Sequence, residues 1–254
     1  MASRLQTLSW FLKRPSLYPE LLRTASAKFR GSSKHGDSSA EAAAWCAARA
    51  VTSDVALQRI TEKRLEPLAS VYAEVLTKAR QVAAECPVQM GGPGGLDLLY
   101  GLAEHVQAKQ VVESGVAYGW SSLALLLSLR KRPGSRLISV DMPYPNLDND
   151  SYVGCVVPAE LRSHWRILRC ADREGLPRAM RELGSLDLCH YDSDKSYEGR
   201  MWAHPLLWKV LRRGGYLVSD DINDNVGFRD FALQVGVEPI IVEYEGKYIG
   251  ILQR

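Results

Sequence analysis

Three aspartates stand at the ends of two short apolar segments in the second half of the chain: Asp192, Asp220 and Asp221. If these segments are neighbouring strands of a parallel sheet, their carboxyl ends meet at the edge where open α/β sheets bind ligands. Three carboxylates gathered there would repel one another unless a cation lies between them. Oxygen ligands favour Mg²⁺, with Mn²⁺ or Ca²⁺ as alternatives, so the trio is a candidate metal site. The alternative is structural: Asp220 and Asp221 would cap the following helix, and Asp194 would pair with Lys195.

A glycine-containing turn follows an earlier strand-like segment and leads directly into a helix-like one. Glycines let a ligand approach the backbone closely, and the first turn of a helix offers free N–H groups. The spacing is GxxxG rather than GxGxxG, which makes the turn a poor cradle for a dinucleotide pyrophosphate. The candidate cofactor contacts in this turn are Glu113, Gly115, Tyr118, Gly119 and Ser121.

Two further acids end the next two strand-like segments. Asp141 lies 22 residues beyond Gly119, where a carboxylate can accept hydrogen bonds from both hydroxyls of a ribose. Asp172 follows the third segment, where it can meet the amino group of an adenine. With Glu113, these acids occupy three successive strand ends, which predicts an adenosine ligand that has no pyrophosphate.

The elements that position these residues alternate between strands and helices from residue 110 onward. The strand-like segments are Gln110–Ser114, Arg136–Asp141, Arg166–Cys170, Leu186–Asp192 and Tyr216–Asp220, and the helix-like segments are 120–131, 157–164, 173–183 and 199–213. Such βα repeats predict a parallel sheet that is covered on both faces. Two final segments, Pro239–Tyr244 and Lys247–Leu252, flank Glu245-Gly246 and predict an antiparallel hairpin. The predicted fold is α/β, with a Rossmann-like, doubly wound, mostly parallel seven-stranded sheet that ends in a C-terminal β-hairpin.

The N-terminal third is a helical extension by the same criteria. From Ala40 to about Glu85, apolar residues recur every three or four positions, and Pro67 should divide the region into two helices. The glycine-rich stretch 91–95 then separates it from the alternating region. We therefore predict a leader over 1–36, a helical cap over 37–90 and a ligand-binding domain over 91–254. Within that domain, His204-Pro205 should interrupt or restart the last long helix.

The leader is strongly basic. Residues 1–36 contain seven Lys and Arg residues and one acid, a net charge of +6, which leaves −3 for the rest of the chain. Apolar and aromatic residues are interleaved with the cations, without the continuous apolar core of a secretory signal. The leader is therefore a helix packed on its own domain or on a partner subunit, a peripheral membrane contact through residues 1–30, or a transit peptide. Residues 31–41 have the composition of a linker.

Composition excludes several classes of protein. The 254 residues are 46% hydrophobic and 24% charged, as in an ordinary globular protein. A spanning helix needs about 18 consecutive apolar residues, and the sequence has no such run. The five cysteines are scattered without a CxxC pair, which favours reduced thiols in the cytoplasm over a zinc site or a disulfide framework. The mildly acidic body argues against nucleic-acid binding.

Taken in order, these residues resemble a known family, the class I S-adenosylmethionine-dependent methyltransferases, and within it the cation-dependent O-methyltransferases. The resemblance covers about residues 88–254. The segment from Glu113 to Ser121 looks like the family's first motif, and Asp141 looks like its ribose-binding acid. The resemblance implies S-adenosylmethionine as the cofactor, a divalent ion with Mg²⁺ as the first choice, and transfer of a methyl group to a hydroxyl.

The resemblance also implies roles for the second group of motifs. Asp192-Ser-Asp-Lys195 looks like the DADK segment of the catechol and caffeoyl-CoA enzymes, in which the first aspartate binds the metal and the lysine is the proposed base. Asp220-Asp221 stands where those enzymes have Asp-Asn, both metal ligands. The run DSDKSYEG, followed by GGYLVSDD, is more similar to a bacterial branch that methylates sugar hydroxyls and has histidine in place of Lys195. The likeness to DADK implies Lys195 as the base, and His204 is the alternative base among the other residues of this region.

The resemblance gives an expectation about the substrate, and the N-terminal helices give one about the oligomeric state. The resemblance favours a sugar, glycoside or polyol acceptor over a catechol. The basic leader would suit such an acceptor if the glycan were lipid-linked. We expect a homo-oligomer, because the apolar faces of the N-terminal helices exceed what one sheet edge needs. Two rival classes stay open: a nucleotide-dependent oxidoreductase, which would bind NAD(H), and a catalytically silent relative, which would turn over no acceptor.

Overall fold

The computed structural model of the protein describes residues 4–29, 38–144, 147 and 149–254. Within these ranges the strands are β1 (Gln110–Ser114), β2 (Arg136–Val140), β3 (Trp165–Leu168), β4 (Leu186–Tyr191), β5 (Leu211–Ser219), β6 (Ile240–Tyr244) and β7 (Lys247–Gln253). They form one seven-stranded sheet in the order β3-β2-β1-β4-β5-β7-β6. Strands β1 to β5 are parallel, whereas β7 is antiparallel to β5 and to β6. The predicted Rossmann-like α/β sheet and its C-terminal hairpin are thus confirmed.

Helices cover both faces of this sheet. The described ranges contain α1 (Arg4–Leu12), α2 (Tyr18–Phe29), α3 (Ser39–Ala47), α4 (Ser53–Thr61), α5 (Leu68–Val71), α6 (Ala73–Glu85), α7 (Leu96–His105), α8 (Trp120–Leu129), α9 (Asp172–Leu183), α10 (Tyr197–Val210) and α11 (Gly227–Val235). Alternate strand residues build a core on each side. In β1, Val111 packs in the core that includes α7 and α8, and Val112 in the core that includes α9 and α10.

The register of the parallel strands brings the ends of β1, β4 and β5 side by side. Ser114 lies opposite Tyr191, and Tyr191 lies opposite Ser219. The amide of Asp192 donates to the carbonyl of Ser114 at 2.8 Å, and the amide of Asp220 donates to the carbonyl of Tyr191 at 3.0 Å. The residues that follow these three strands therefore emerge together at one edge of the sheet.

Three elements of the α/β region differ in detail from their predictions. Helix α10 continues through His204-Pro205, because residues on both sides of the proline, Ala203 and Leu207, are buried in the core and hold the helix in place. The helix-like segment predicted over 157–164 forms a short 3-10 helix, Ala159–His164. Strand β5 begins at Leu211 rather than Tyr216, since a register irregularity in its pairing with β4 lets the polar start of the strand join the sheet.

The N-terminal region is divided more finely than predicted. Helices α3 to α6 occupy the described residues 39–85, where two helices were expected, although the break before α5 at Pro67 is confirmed. There are two extra breaks. The one between α3 and α4 holds Val51, which pairs with Val242 in β6 and so needs an extended backbone. The other lies at Tyr72, between α5 and α6. Helix α7 was not predicted. Most of the predicted linker, residues 31–37, lies outside the described residues. Among the helices that the structure does describe, none is long and apolar enough to cross a membrane.

Candidate active site

Two cavities meet at the carboxyl edge of the sheet. The first, about 170 Å³ in volume, lies over the ends of β2 and β3, where Met142, Ala171 and Asp172 line it. The second, about 360 Å³, lies over the ends of β4 and β5 and the hairpin. Gly115 and Asp141 line both cavities. A ligand in the first cavity can therefore present an atom to a second ligand in the other.

The turn after β1 needs glycine at two positions for steric reasons. Gly115 has φ +90°, and a Cβ there would lie 2.2 Å from the carbonyl oxygen of Asp192. Gly119 has φ +91°, and a Cβ there would lie 2.9 Å from the Cα of Gly154. The turn thus passes close to two other backbone segments, and it places Ser121 of α8 in the wall of the second cavity.

Asp141 holds the glycine turn in place. Its Oδ2 accepts the amides of Val116 and Ala117 at 3.1 and 3.2 Å, while its Oδ1 lies 2.8 Å from Nη1 of Arg169. Burial raises the pKa of this carboxyl, and Arg169 opposes that shift. The predicted ribose acid therefore lies where both cavities meet, and its fixed position depends on Arg169, which the sequence did not reveal.

Asp172 lies at the start of α9 and is held by two serines. The hydroxyl of Ser114 donates to its Oδ1 at 2.6 Å, and the hydroxyl of Ser193 donates to its Oδ2. Burial raises the pKa of Asp172, against these two hydrogen bonds. The structure therefore places Asp172 at the first cavity as predicted, and it adds Ser114 and Ser193, neither of which the sequence singled out.

Two of the predicted cofactor contacts lie elsewhere. Glu113 is fully buried beneath the turn, where its Oε2 accepts the hydroxyls of Ser122 and Ser139 at 2.5 and 2.6 Å. Tyr118 is also buried, and its hydroxyl donates to the carbonyl of Val88 at 2.9 Å. Neither side chain lines either cavity, so both support the site from inside the protein through these hydrogen bonds.

A group of buried charged side chains connects Glu113 to the lining of the second cavity. Nδ1 of His190 lies 3.5 Å from Oε1 of Glu113, and its Nε2 lies 3.6 Å from Oδ2 of Asp220. Burial disfavours the charged imidazole, but Asp220 and Glu113 outweigh it and raise the pKa of His190 to about 10. His190 therefore lies between two carboxylates that favour its charged form, and it faces Asp220 from the interior of the protein.

The predicted aspartate trio does gather at one edge, but it gathers around the protein's own cations. Nζ of Lys195 lies 3.1 Å from Oδ1 of Asp192 and also donates to Asp221, and Nζ of Lys247 lies 3.3 Å from Oδ1 of Asp221. Burial opposes the charge of Lys195, yet the two carboxylates raise its pKa above the ordinary value. Burial and Asp220 raise the pKa of Asp192 to about 6.

This arrangement does not fit a resident divalent ion. Asp192 and Asp221 face ammonium groups, and Asp220 faces His190. Across the described ranges, no set of three acidic, histidine or cysteine side chains is placed to hold a metal. The prediction of a metal site assumed that the cation between the carboxylates comes from solution, whereas Lys195 supplies one here.

Arg200 supports the turn that carries two of these acids. Its side chain is fully buried, and Nη2 donates to the carbonyl oxygens of Asp220 and Asp221 at 2.9 and 2.8 Å. Asp221 has a left-handed backbone, φ +50°, which is rare for a residue other than glycine. Arg200 therefore fixes an otherwise unfavourable turn, and its spacing in the sequence gave no signal for this role.

The alternative base, His204, lies outside the site. It is completely buried in the core, with its ring 5.2 Å from that of Tyr191 and 5.5 Å from that of Phe231. Burial, together with nearby Arg200, lowers its pKa to about 3. A neutral imidazole inside the core cannot take a proton from a substrate, so the prediction of His204 as a base was wrong.

The buried His204 gives a testable pH dependence. Its pKa is about 6.5 in an unfolded chain and about 3 in the folded one. Below pH 6.5 the unfolded state binds a proton that the folded state does not, so the free energy of unfolding should fall as the pH falls. From pH 7 to pH 5 this loss is about 2 kcal/mol. Urea titration of the wild type and His204→Phe at both pH values measures it, and an equal pH dependence in both proteins would contradict it.

Comparison with known proteins gives a consistent result. Residues 112–222 match a family model that is described as a methyltransferase domain. No curated protein matches the chain in sequence. Among solved structures, cofactor-bound Rv0187 from MTB has a TM-score of 0.61 at 17% identity, covering 75% of this chain and 98% of its own.

Two further solved structures share the fold. An O-methyltransferase from Bacillus cereus in complex with SAH has a TM-score of 0.56 at 18% identity and covers 79% of this chain and 96% of its own. The O-methyltransferase TomG from Streptomyces achromogenes, in complex with SAM, has a TM-score of 0.54 at 21% identity. The match covers 73% of this chain and 93% of TomG. The match of residues 112–222 to a methyltransferase domain agrees with the resemblance predicted from the sequence, and the three solved structures share the fold of the chain.

Proposed function

We propose that the protein transfers a methyl group from S-adenosylmethionine to a hydroxyl oxygen of a small molecule. The observation that carries this proposal is the junction of the two cavities at Gly115 and Asp141. A nucleoside in the first cavity would direct its sulfonium towards the second, where Asp192 and Lys195 lie. The complexes of the Bacillus cereus enzyme with SAH and of TomG with SAM support the choice of cofactor.

The chemistry requires little more than alignment and charge. The methyl group of a sulfonium is already activated, so the protein must hold donor and acceptor in line and favour negative charge on the attacking oxygen. Lys195 lies between Asp192 and Asp221 as an ammonium and can donate a hydrogen bond to that oxygen. The carboxylate of Asp192 then accepts the proton of the hydroxyl, while Lys195 stays charged beside it. Lys195 acts in this proposal as the cation of the pair, because two carboxylates oppose the loss of its own proton.

The walls of the second cavity support a polar acceptor. Charges of both signs face the bound molecule, because the lining of this cavity includes Asp192, Lys195, Asp221, Glu245 and Lys247. A sugar or polyol offers many hydroxyls that can donate to the acids and accept from the lysines, whereas a catechol offers two. We therefore keep a sugar or glycoside hydroxyl as the proposed acceptor and a catechol-like molecule as the alternative. Assembly into a homo-oligomer stays a prediction.

The first experiment is a calorimetric titration of the protein with S-adenosylhomocysteine, followed by transfer of labelled methyl groups to a panel of sugars, glycosides and catechols. We expect micromolar binding, about −8 kcal/mol, and label on at least one hydroxyl compound. Binding of NAD(H) without binding of S-adenosylhomocysteine would replace the proposal with an oxidoreductase. Binding of S-adenosylhomocysteine without transfer to any acceptor would favour the silent relative.

Turnover is expected to persist when divalent ions are removed, because Lys195 and Lys247 already face the carboxylates that an ion would need. The measurement compares initial rates of methyl transfer in EDTA and in millimolar Mg²⁺ after dialysis against chelator. Equal rates are the expected result. Loss of turnover in EDTA that Mg²⁺ restores would show that an ion displaces Lys195 and that the trio is the metal site implied by the sequence resemblance.

A further inference from the structure

The wall of the first cavity includes a segment that is distant in sequence from the methyltransferase domain. Glu20 and Arg23 of α2 line this cavity together with Met142, Ala171 and Asp172. None of the motifs in the sequence pointed to the leader as part of a ligand site. Two independent sets of contacts, one apolar and one ionic, hold the segment there.

The apolar contacts fix α1 and α2 on the cavity's own lining. Phe11 and Leu17 are buried in a small cluster with Ala171, against which Met142 and Leu21 also pack. Ala171 and Met142 follow β3 and β2 and line the first cavity. The leader therefore packs on the residues that would enclose an adenine, rather than on a remote face of the domain.

The ionic contacts tie α2 to the loop after β4. Nη2 of Arg23 lies 3.1 Å from Oδ2 of Asp194, and Nε of Arg23 donates to Oε1 of Glu20 at 2.9 Å. Both Arg23 and Glu20 are largely shielded from solvent, with 32% and 13% of their side chains exposed. Because water is mostly excluded, this pair can keep a fixed geometry beside a ligand, unlike an exposed surface pair.

The charges of the cavity indicate which part of a ligand it takes. Four carboxylates line it together with the two guanidinium groups of Arg23 and Arg173; the acids are Glu20, Asp141, Asp172 and Asp194. Acids in this number disfavour a phosphate, whereas an exocyclic amino group is a hydrogen-bond donor that a carboxylate can accept. Both oxygens of Asp172 already accept serine hydroxyls, and Glu20 adds a second carboxylate acceptor to the lining of the same cavity.

We propose that α2 is part of the cofactor site: Glu20 accepts a hydrogen bond from the amino group of the bound adenine, and Arg23 positions Glu20 by pairing with it and with Asp194. This assignment rests on the proposed function, since it takes the adenosine of S-adenosylmethionine as the ligand of the first cavity. It also gives the leader a role in cofactor binding that is independent of any contact with a membrane.

The test compares S-adenosylhomocysteine with its deaminated analogue S-inosylhomocysteine, in which a carbonyl replaces the amino group at C6 and N1 carries a proton. Dissociation constants for both are measured by calorimetry on the full-length wild type, Glu20→Met and Arg23→Met. Because a hydrogen bond to a charged group is at stake, we expect Glu20→Met to lower the preference for the amino compound by about tenfold. Arg23→Met should lower it in the same direction.

Arg229→Met is the matched control. Arg229 is 23% exposed and pairs with Glu41 and Asp230 of α3 and α11, so it loses an equivalent ionic contact away from both cavities. It should keep the wild-type preference. If the wild type binds S-adenosylhomocysteine and Glu20→Met keeps the full preference, the proposal for α2 is wrong and the proposed function stands. If the wild type binds neither ligand, the proposed function itself fails.

Discussion

Replacing Gly115 with alanine is expected to abolish cofactor binding and to lower the free energy of unfolding by about 2–5 kcal/mol. The new Cβ would lie 2.2 Å from the carbonyl oxygen of Asp192 and 2.9 Å from its carbonyl carbon. Neither backbone can move aside easily, because the amide of Gly115 donates to Val140 and the amide of Asp192 donates to Ser114 within the sheet. The clash therefore separates β1 from β4 at the point where the two cavities meet. Urea titration and calorimetry with S-adenosylhomocysteine measure the two effects.

Gly134→Ala separates the steric clash from the cost of the backbone conformation. Gly134 also has a positive φ, +74°, but a Cβ there would meet nothing within 4 Å. This variant should lose only the cost of the left-handed conformation, about 1–2 kcal/mol, and should bind the cofactor as the wild type does. If Gly115→Ala were no less stable than Gly134→Ala and still bound S-adenosylhomocysteine, the close approach to Asp192 would not be essential to the site.

The sheet and its carboxyl edge were predictable because they depend on patterns that lie close together in the sequence. Strand β1 has the predicted bounds, Gln110–Ser114. A strand that is buried on both faces shows as an apolar run, and the residue after it must lie at the edge. The convergence of Asp192 and Asp220 followed from the same reasoning, since both continue the hydrogen bonding of neighbouring parallel strands.

The partners of individual side chains were not predictable in the same way. Glu113 lies inside β1, opposite Ser139 of β2, and is buried on two serines. Asp141 lies two residues beyond Ser139, past the end of β2, and lines the cavities. The position along the strand relative to the edge of the sheet therefore separates their roles. His204 could not be assigned to the core without knowing which face of α10 meets the sheet. The contact of α2 with Asp194 joins segments about 170 residues apart, which no local pattern reports.

Lys195→Met is expected to lower kcat for methyl transfer by about 10²–10³-fold while leaving the dissociation constant of S-adenosylhomocysteine near its wild-type value. The ammonium contacts Asp192 and Asp221 in the second cavity, away from the residues that line only the first. Its removal takes away the cation that would favour negative charge on the acceptor oxygen, and it leaves two carboxylates facing that oxygen. Steady-state kinetics with the best acceptor from the panel, and calorimetry with S-adenosylhomocysteine, measure the two quantities separately.

Lys131→Met controls for the loss of a paired lysine elsewhere in the protein. Lys131 is 39% exposed, against 38% for Lys195, and its Nζ lies 2.7 Å from Glu104 on α7. Since both lysines lose a comparable ion pair, a general loss of stability would lower the activity of both variants. A selective loss in Lys195→Met places the effect in the acceptor site. Full turnover in Lys195→Met would exclude the lysine from the reaction and leave Asp192 to act without a cation beside it, which burial next to Asp220 makes unfavourable.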